Sequence, residues 1–198
     1  MGEYKQKGGV RCLIIYSLLL TITFGHKNIK KFCPTTRLGN TVQEMDELMI
    51  KVWNDTVAPD DTVYILGDFS FRSTQETATI LEQLPGHKHL ILGNHDKWYH
   101  TSMDKYFVEV SHYLKFRKDG HTAILFHYPI VEYENMHHGA FHLYGHVHGN
   151  YHHAGRAMDV GIDARPQQDM GLWNWNEIVN ILVERPILLH HNKIKETR

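Results

Sequence analysis

Four short apolar runs in this chain each end abruptly in a polar, chemically loaded motif, and this pattern restricts the fold more than any bulk property. Thr62 to Leu66 runs into Gly67-Asp68, and Leu90-Ile91-Leu92 into Gly93-Asn94-His95-Asp96. Thr122 to Phe126 runs into His127, and Phe141 to Tyr144 into Gly145-His146-Val147-His148. Such runs, rich in β-formers and bounded by turn residues, read as buried strands. Helical segments separate them. Thr41-Val42-Gln43-Glu44 has capping-box form and opens a helix with Met45, Leu48, Met49, Val52 and Trp53 on one face, broken by Pro59-Asp60-Asp61. A second box, Ser73 to Glu76, opens a helix through Leu84 that Pro85-Gly86 stops, and Asn176 to Val183 reads as a late helix. Alternating strands and helices predict an α/β fold. Loops at the carboxyl ends of such strands share one crevice, so the four motifs are expected to converge.

The 198 residues suffice for one substantial core, so a single domain over 1–198 is expected. A hydrophobic share of 42% with 22% charged residues excludes a disordered polymer and a multi-pass membrane protein. The net charge of -1 comes without a basic stripe, which argues against a general nucleic-acid binder. Cys12 and Cys33 are too few for a disulfide framework, which fits a reducing cytoplasm. Lys5, Lys7 and Arg11 precede the apolar stretch Cys12 to Leu20 in the manner of a signal peptide. No small-residue cleavage site follows, and the stretch is too short to span a bilayer. A buried first strand is expected there, with 1–23 an atypical leader.

Histidine is unusually frequent, at 17 residues, and imidazole is a common ligand for transition metals. Spacing selects among them. His87, His89, His100, His112, His121, His152, His153, His190 and His191 read as surface residues. His146 and His148, one residue apart in extended chain, place both rings on one side, and Gly145 and Gly149 permit close approach. Gly93 lets the backbone turn sharply and present Asn94, His95 and Asp96 together. Taken alone, Gly67-Asp68 reads as a turn and His127 as a satisfied core histidine. The ordered series of four reads as a metal site.

That series, Gly-Asp, Gly-Asn-His-Asp, His and Gly-His-x-His, resembles the calcineurin-like metallophosphoesterases, from Phe24 to about Asp163. Phe24-Gly25-His26-Lys27-Asn28-Ile29 and Gly67-Asp68-Phe69-Ser70-Phe71 resemble a small single-domain bacterial and phage branch, with Val160-Gly161-Ile162-Asp163 as its late strand. The resemblance implies a four-layer α-β-β-α sandwich with two divalent ions, manganese, iron, zinc or nickel, at the sheet edge. Asp68 would bridge the ions, Asn94, His127 and His146 would complete the second ion's shell, and His148 would bind the first. His95 would stabilise the phosphoryl charge or protonate the leaving group, with Asp96 orienting it. The implied activity is hydrolysis of a phosphodiester or a small phosphomonoester by metal-activated water.

One motif departs from this pattern. Where the family carries Asp-x-His at the end of its first strand, this chain reads Thr21-Ile22-Thr23. Threonine is neutral and a poor ligand. Three readings stay open: a degenerate member that keeps one ion as a metal-binding or interaction protein, a first site rebuilt with His26, or a shifted reading frame upstream of Phe24. Trp98 and Tyr128 read as packing residues.

Overall fold

The computed structural model describes residues 17–189 and 193–194. Strand β1 spans Ser17–Leu20 with all four residues buried, while Cys12 to Tyr16 of the expected first strand lie outside the described residues. After the short helix α1 (Ile29–Phe32) comes α2 (Val42–Thr56), whose N-cap Thr41 accepts the Glu44 N–H. The Glu44 carboxylate turns to the N–H of Asn40 instead of Thr41, so the box is half formed. Strand β2 (Thr62–Ile65) leads to α3 (Thr74–Leu81), which has the full reciprocal Ser73–Glu76 box and stops three residues short of Leu84. Strand β3 (His87–Ile91) and the short β4 (Glu109–Ser111) complete the first half.

The first sheet has the order β4-β3-β2-β1-β9, in which β9 is Trp173–Asn174 and the other four strands are parallel. The second sheet contains β5 (Tyr113–Lys118), β6 (His121–Phe126), β7 (Phe141–Tyr144) and β8 (Ala157–Asp159), in that order. Its β6, β7 and β8 are parallel, and β5 pairs antiparallel as a hairpin. Register aligns Leu20, Ile65 and Leu90 across one sheet and Leu125 and Leu143 across the other. Each motif therefore begins at the same edge. An isolated parallel bridge from Thr21 to Gly161 joins the two sheets there.

Alternation along β1 shows how the layers form. Leu18 and Leu20 turn outward into a core with Met45, Met49 and Trp53 of α2 and Ile80 and Leu81 of α3. Leu19 turns inward, where Leu66, Ile91, Leu125, Phe141 and Leu143 fill the space between the sheets. Helix α4 (Trp175–Val183) closes this inner core with Ile178 and Leu182. The outer face of the second sheet packs Ile124, Tyr144 and Ala157 under Met136 of a 3-10 turn and Leu188 of β10 (Leu188–Leu189), which pairs with β11 (Lys193–Ile194). The result is an α/β sandwich of two parallel-rich sheets flanked by helices. No helix among the described residues is long and apolar enough to cross a membrane.

Two local expectations are corrected. The late strand ends at Asp159, and Ile162–Ala164 form a 3-10 turn instead of continuing it. The cause is the buried Asp159 carboxylate, which accepts the N–H groups of Gly149 and Gly161, each at 2.7 Å, and bends the chain out of the ladder. His153, read as a surface residue, is buried and bonds the Gly155 N–H and the Val131 carbonyl. His190 and His191 lie outside the described residues.

Candidate metal centre

Two glycines let the loops meet at the sheet edge. Gly67 has a φ of +80°, and a Cβ there would fall 2.4 Å from His127 Nδ1 and 2.7 Å from the Gly93 Cα. A Cβ on Gly93 would fall 2.4 Å from Asp68 Oδ1 and 2.5 Å from the Asp68 nitrogen. Gly67→Ala is expected to cost on the order of 2–4 kcal/mol, combining the left-handed backbone with overpacking against fixed atoms. The check is the urea midpoint, which should fall without a change in slope. An unchanged midpoint would mean that these loops do not pack as described.

Asp68, His127 and His146 converge, their ligand atoms all within 4.8 Å of one another. His127 is fully buried, and its Nδ1 lies 2.7 Å from the Leu66 carbonyl, which can only accept, so Nδ1 carries the hydrogen. The neutral ring then points the lone pair of Nε2 at Asp68 Oδ2, 3.3 Å away, and at Asn94 Oδ1, 3.1 Å away. Three acceptors facing one another require a cation between them, either a proton or a metal. Turning the Asn94 amide would relieve one contact and leave Nε2 facing the carboxylate.

The electrostatics agree. Burial opposes charge on His127, yet the hydrogen bond and charge of Asp68 outweigh it and raise its pKa above the ordinary value. At Asp68, burial pulls the pKa upward, and His127 together with the His95 N–H overcomes it, leaving a carboxylate that ionises more readily than usual. His146 goes the other way, held neutral by burial and by the neighbouring His127. This mix of one carboxylate, one amide oxygen and two imidazoles suits a divalent transition metal.

The other motif residues sit around this group in different roles. The His95 N–H donates to Asp68 Oδ1 at 2.8 Å, while its exposed ring packs on Phe71 at 4.7 Å between centroids. His26 packs on the same Phe71 at 4.5 Å. Asp96 does not orient the His95 ring as expected. Its buried carboxylate accepts from the N–H groups of Asp68, Phe69 and Gly93 and from the Trp98 indole, at 2.8–2.9 Å, and so ties the two loops together. Trp98 packs in the core, whereas Tyr128 is 38% exposed, with its ring 4.6 Å from His146 and 4.8 Å from His127. Tyr128 thus stands at the site.

His148 falls outside the converging group. Its Nδ1 lies 2.8 Å from Asp163 Oδ2, and His148, Asp163 and Cys33 form a second group with metal-ligand chemistry. Arg37 already fills that group's need for a cation. The guanidinium donates to both Asp163 oxygens, at 2.8 and 2.6 Å, and Thr36 adds a third bond at 2.5 Å. Cys33 stays a thiol, its pKa pushed up to about 11 by burial and by Asp163.

Asp46 was also missing from the expected set. From α2 it accepts the Gly25 N–H at 2.9 Å and the Arg72 guanidinium at 2.7 Å, which fixes the loops bearing His26 and Phe71. Its position on the helix face reads as an ordinary surface acid, so no local signal marks it. Thr21 and Thr23, where Asp-x-His was expected, are both buried. Thr21 Oγ1 donates to the Leu66 carbonyl at 3.2 Å, and Thr23 Oγ1 has no hydrogen-bond partner among the described residues.

No family model matches the chain. It is 31% identical to the gene 66 protein of Mycobacterium phage L5 in a 173-residue alignment covering 71% of this chain and 82% of that protein. It is 33% identical over 130 residues to an uncharacterized protein of Methanocaldococcus jannaschii, covering 65% of this chain and 66% of that protein. Among solved structures, a protein of unknown function from Aquifex aeolicus superposes with a TM-score of 0.65 at 24% identity, over 84% of this chain and 99% of that one. That likeness shows a shared fold. With most of its length aligned at this identity, the chain belongs to the family of the Mycobacterium phage L5 gene 66 protein.

Proposed function

We propose that the chain is a metal-dependent phosphoesterase of calcineurin-like type, acting on a phosphodiester or a small phosphomonoester. The observation that carries this reading is the convergence of Asp68 Oδ2, Asn94 Oδ1 and the forced lone pair of His127 Nε2, with His146 beside them. A histidine whose second nitrogen is pinned by a backbone carbonyl is the usual form of a metal ligand. The residues present fit one ion, held by Asp68, Asn94, His127 and His146. They do not fit a second, because Thr21 spends its hydroxyl on Leu66 and neither threonine brings charge.

A bound divalent ion supplies Lewis-acid neutralisation of phosphate charge and a water acidic enough to attack at neutral pH. The chain's own residues do the rest. Asp68 holds its carboxylate ionised. Asp96, through three backbone bonds, keeps the Asp68 and Asn94 loops at a fixed separation. His95, exposed at the rim and steadied by Phe71, is placed to bond a phosphoryl oxygen or to give the leaving alkoxide a proton.

The test is manganese-dependent hydrolysis of bis(4-nitrophenyl) phosphate, abolished by chelation. His127→Ala removes a ligand, and since loss of a mere supporting residue costs about 10–100-fold, its effect should exceed about 100-fold. Wild-type protein that binds manganese without turnover would favour a second reading, a metal-binding protein without hydrolase activity, for which the uncharged Thr21 and Thr23 speak. Protons compete with the ion at His127, whose pKa is raised by Asp68. Manganese affinity should therefore weaken as pH falls, with the loss setting in at a higher pH than an ordinary imidazole would give. Titration calorimetry across pH 6 to about 8.5 reads this, and a flat profile would contradict the role of His127.

A further inference from the structure

Arg37, Asp163 and His148 form a chain of charge-assisted hydrogen bonds that the ion site above does not use. The Arg37 side chain has no exposed surface and that of Asp163 has 2%, whereas His148 keeps 23% at the open end. Arg37 lies in the loop after α1, and Asp163 lies 126 residues later in the 3-10 turn after β8. A pair serving packing alone would be complete with the two Arg37 bonds and the one from Thr36. Asp163 instead gives Oδ2 a further partner, His148 Nδ1, at 2.8 Å. A carboxylate oxygen only accepts, so the shared hydrogen belongs to Nδ1 and the ring's free lone pair lies on Nε2.

We infer that Asp163, clamped by Arg37 and Thr36, is a positioning residue that sets the tautomer and the aim of His148. It turns Nε2 toward the phosphoester beside the Asp68–His127–His146 group. There Nε2 accepts a hydrogen bond from the attacking water, on the side where Thr21 and Thr23 leave the chain without charged ligands. This role rests on the phosphoesterase reading, but its geometry does not. The left-handed backbone of His148, with φ +47°, matches a side chain held in place by its partner and not by regular structure.

The ring tautomer is read by long-range proton–nitrogen NMR on the whole metal-free chain, in a pH series followed to the alkaline plateau of the ring signals. The His148 signals are identified by their loss in His148→Gln. The expected result is a single tautomer with hydrogen on Nδ1. Hydrogen on Nε2, or a mixture, would overturn the inference without touching the metal reading. Arg37→Met with Asp163→Leu removes both charges together and leaves no unpaired ion in the core. In that variant His148 should become a tautomer mixture, with manganese-dependent kcat/KM lower by about tenfold and KM little changed. A folded double variant with the tautomer unchanged would also overturn it. Should the variant fail to fold, the wild-type tautomer alone decides. Asp163→Glu, which keeps the carboxylate, should restore part of the rate.

Discussion

Asp163→Ala is expected to destabilise the fold by about 3–5 kcal/mol, the usual cost of stripping one partner from a buried ion pair. Arg37 would be left fully buried with its guanidinium facing a void, and the bonds from Thr36 and His148 would go with the carboxylate. Arg37→Met in the same chain should recover much of this loss, because the unmatched charge disappears. Equilibrium urea unfolding of the two variants measures both effects. The pH dependence has a definite sign. Burial pulls Asp163 upward, but His148 and Arg37 outweigh it and hold its folded pKa well below the ordinary carboxylate value. The stability it contributes is therefore present in full above that ordinary value and is lost as pH falls from it toward the folded one. In Asp163→Ala that acid-side loss should shrink. A variant as stable as the parent would show that the Arg37 pair is not a keystone between the early loop and the end of the second sheet.

Asp68→Asn should cost about a thousandfold in metal-dependent turnover while leaving the fold intact. The substitution keeps the size of the side chain and an Oδ1 to accept the His95 N–H, but it removes the one carboxylate in the converging group. An amide is a weak ligand beside two imidazoles, and about 4 kcal/mol of barrier corresponds to that factor of a thousand. Initial rates with saturating manganese measure it, with the thermal midpoint as the control on folding. Turnover within tenfold of the parent would place the chemistry elsewhere.

Legibility differed by scale. The strands that carry the motifs were readable because an apolar run ending in Gly-Asp or Gly-Asn-His-Asp states its burial and its end, and β2, β6 and β7 lie where those runs are, while β3 starts three residues ahead of its run, at His87. The Ser73 box was readable because its reciprocal bonds are local. What failed were contacts that no local pattern carries. Asp96 looked like a partner for the adjacent His95, yet its bonds go to backbone 28 and 27 residues away at Asp68 and Phe69. Asp163 looked like part of a strand, because the apolar run from Val160 hides a bend that the Asp159 carboxylate makes by accepting the N–H of Gly161, two residues on, and of Gly149, ten residues back. Arg37 sat among ordinary basic residues, and only its partner 126 positions on makes it a core group. Tyr128 looked like packing because the sequence does not reveal which face of the loop after His127 meets His146.

The measurement that tests the metal centre most directly is manganese binding to the purified chain beside its His127→Ala variant, by equilibrium dialysis with metal analysis. One ion per wild-type chain, lost in the variant, is the expected result. No bound ion, or binding undiminished in the variant, would contradict a centre built on Asp68, Asn94, His127 and His146.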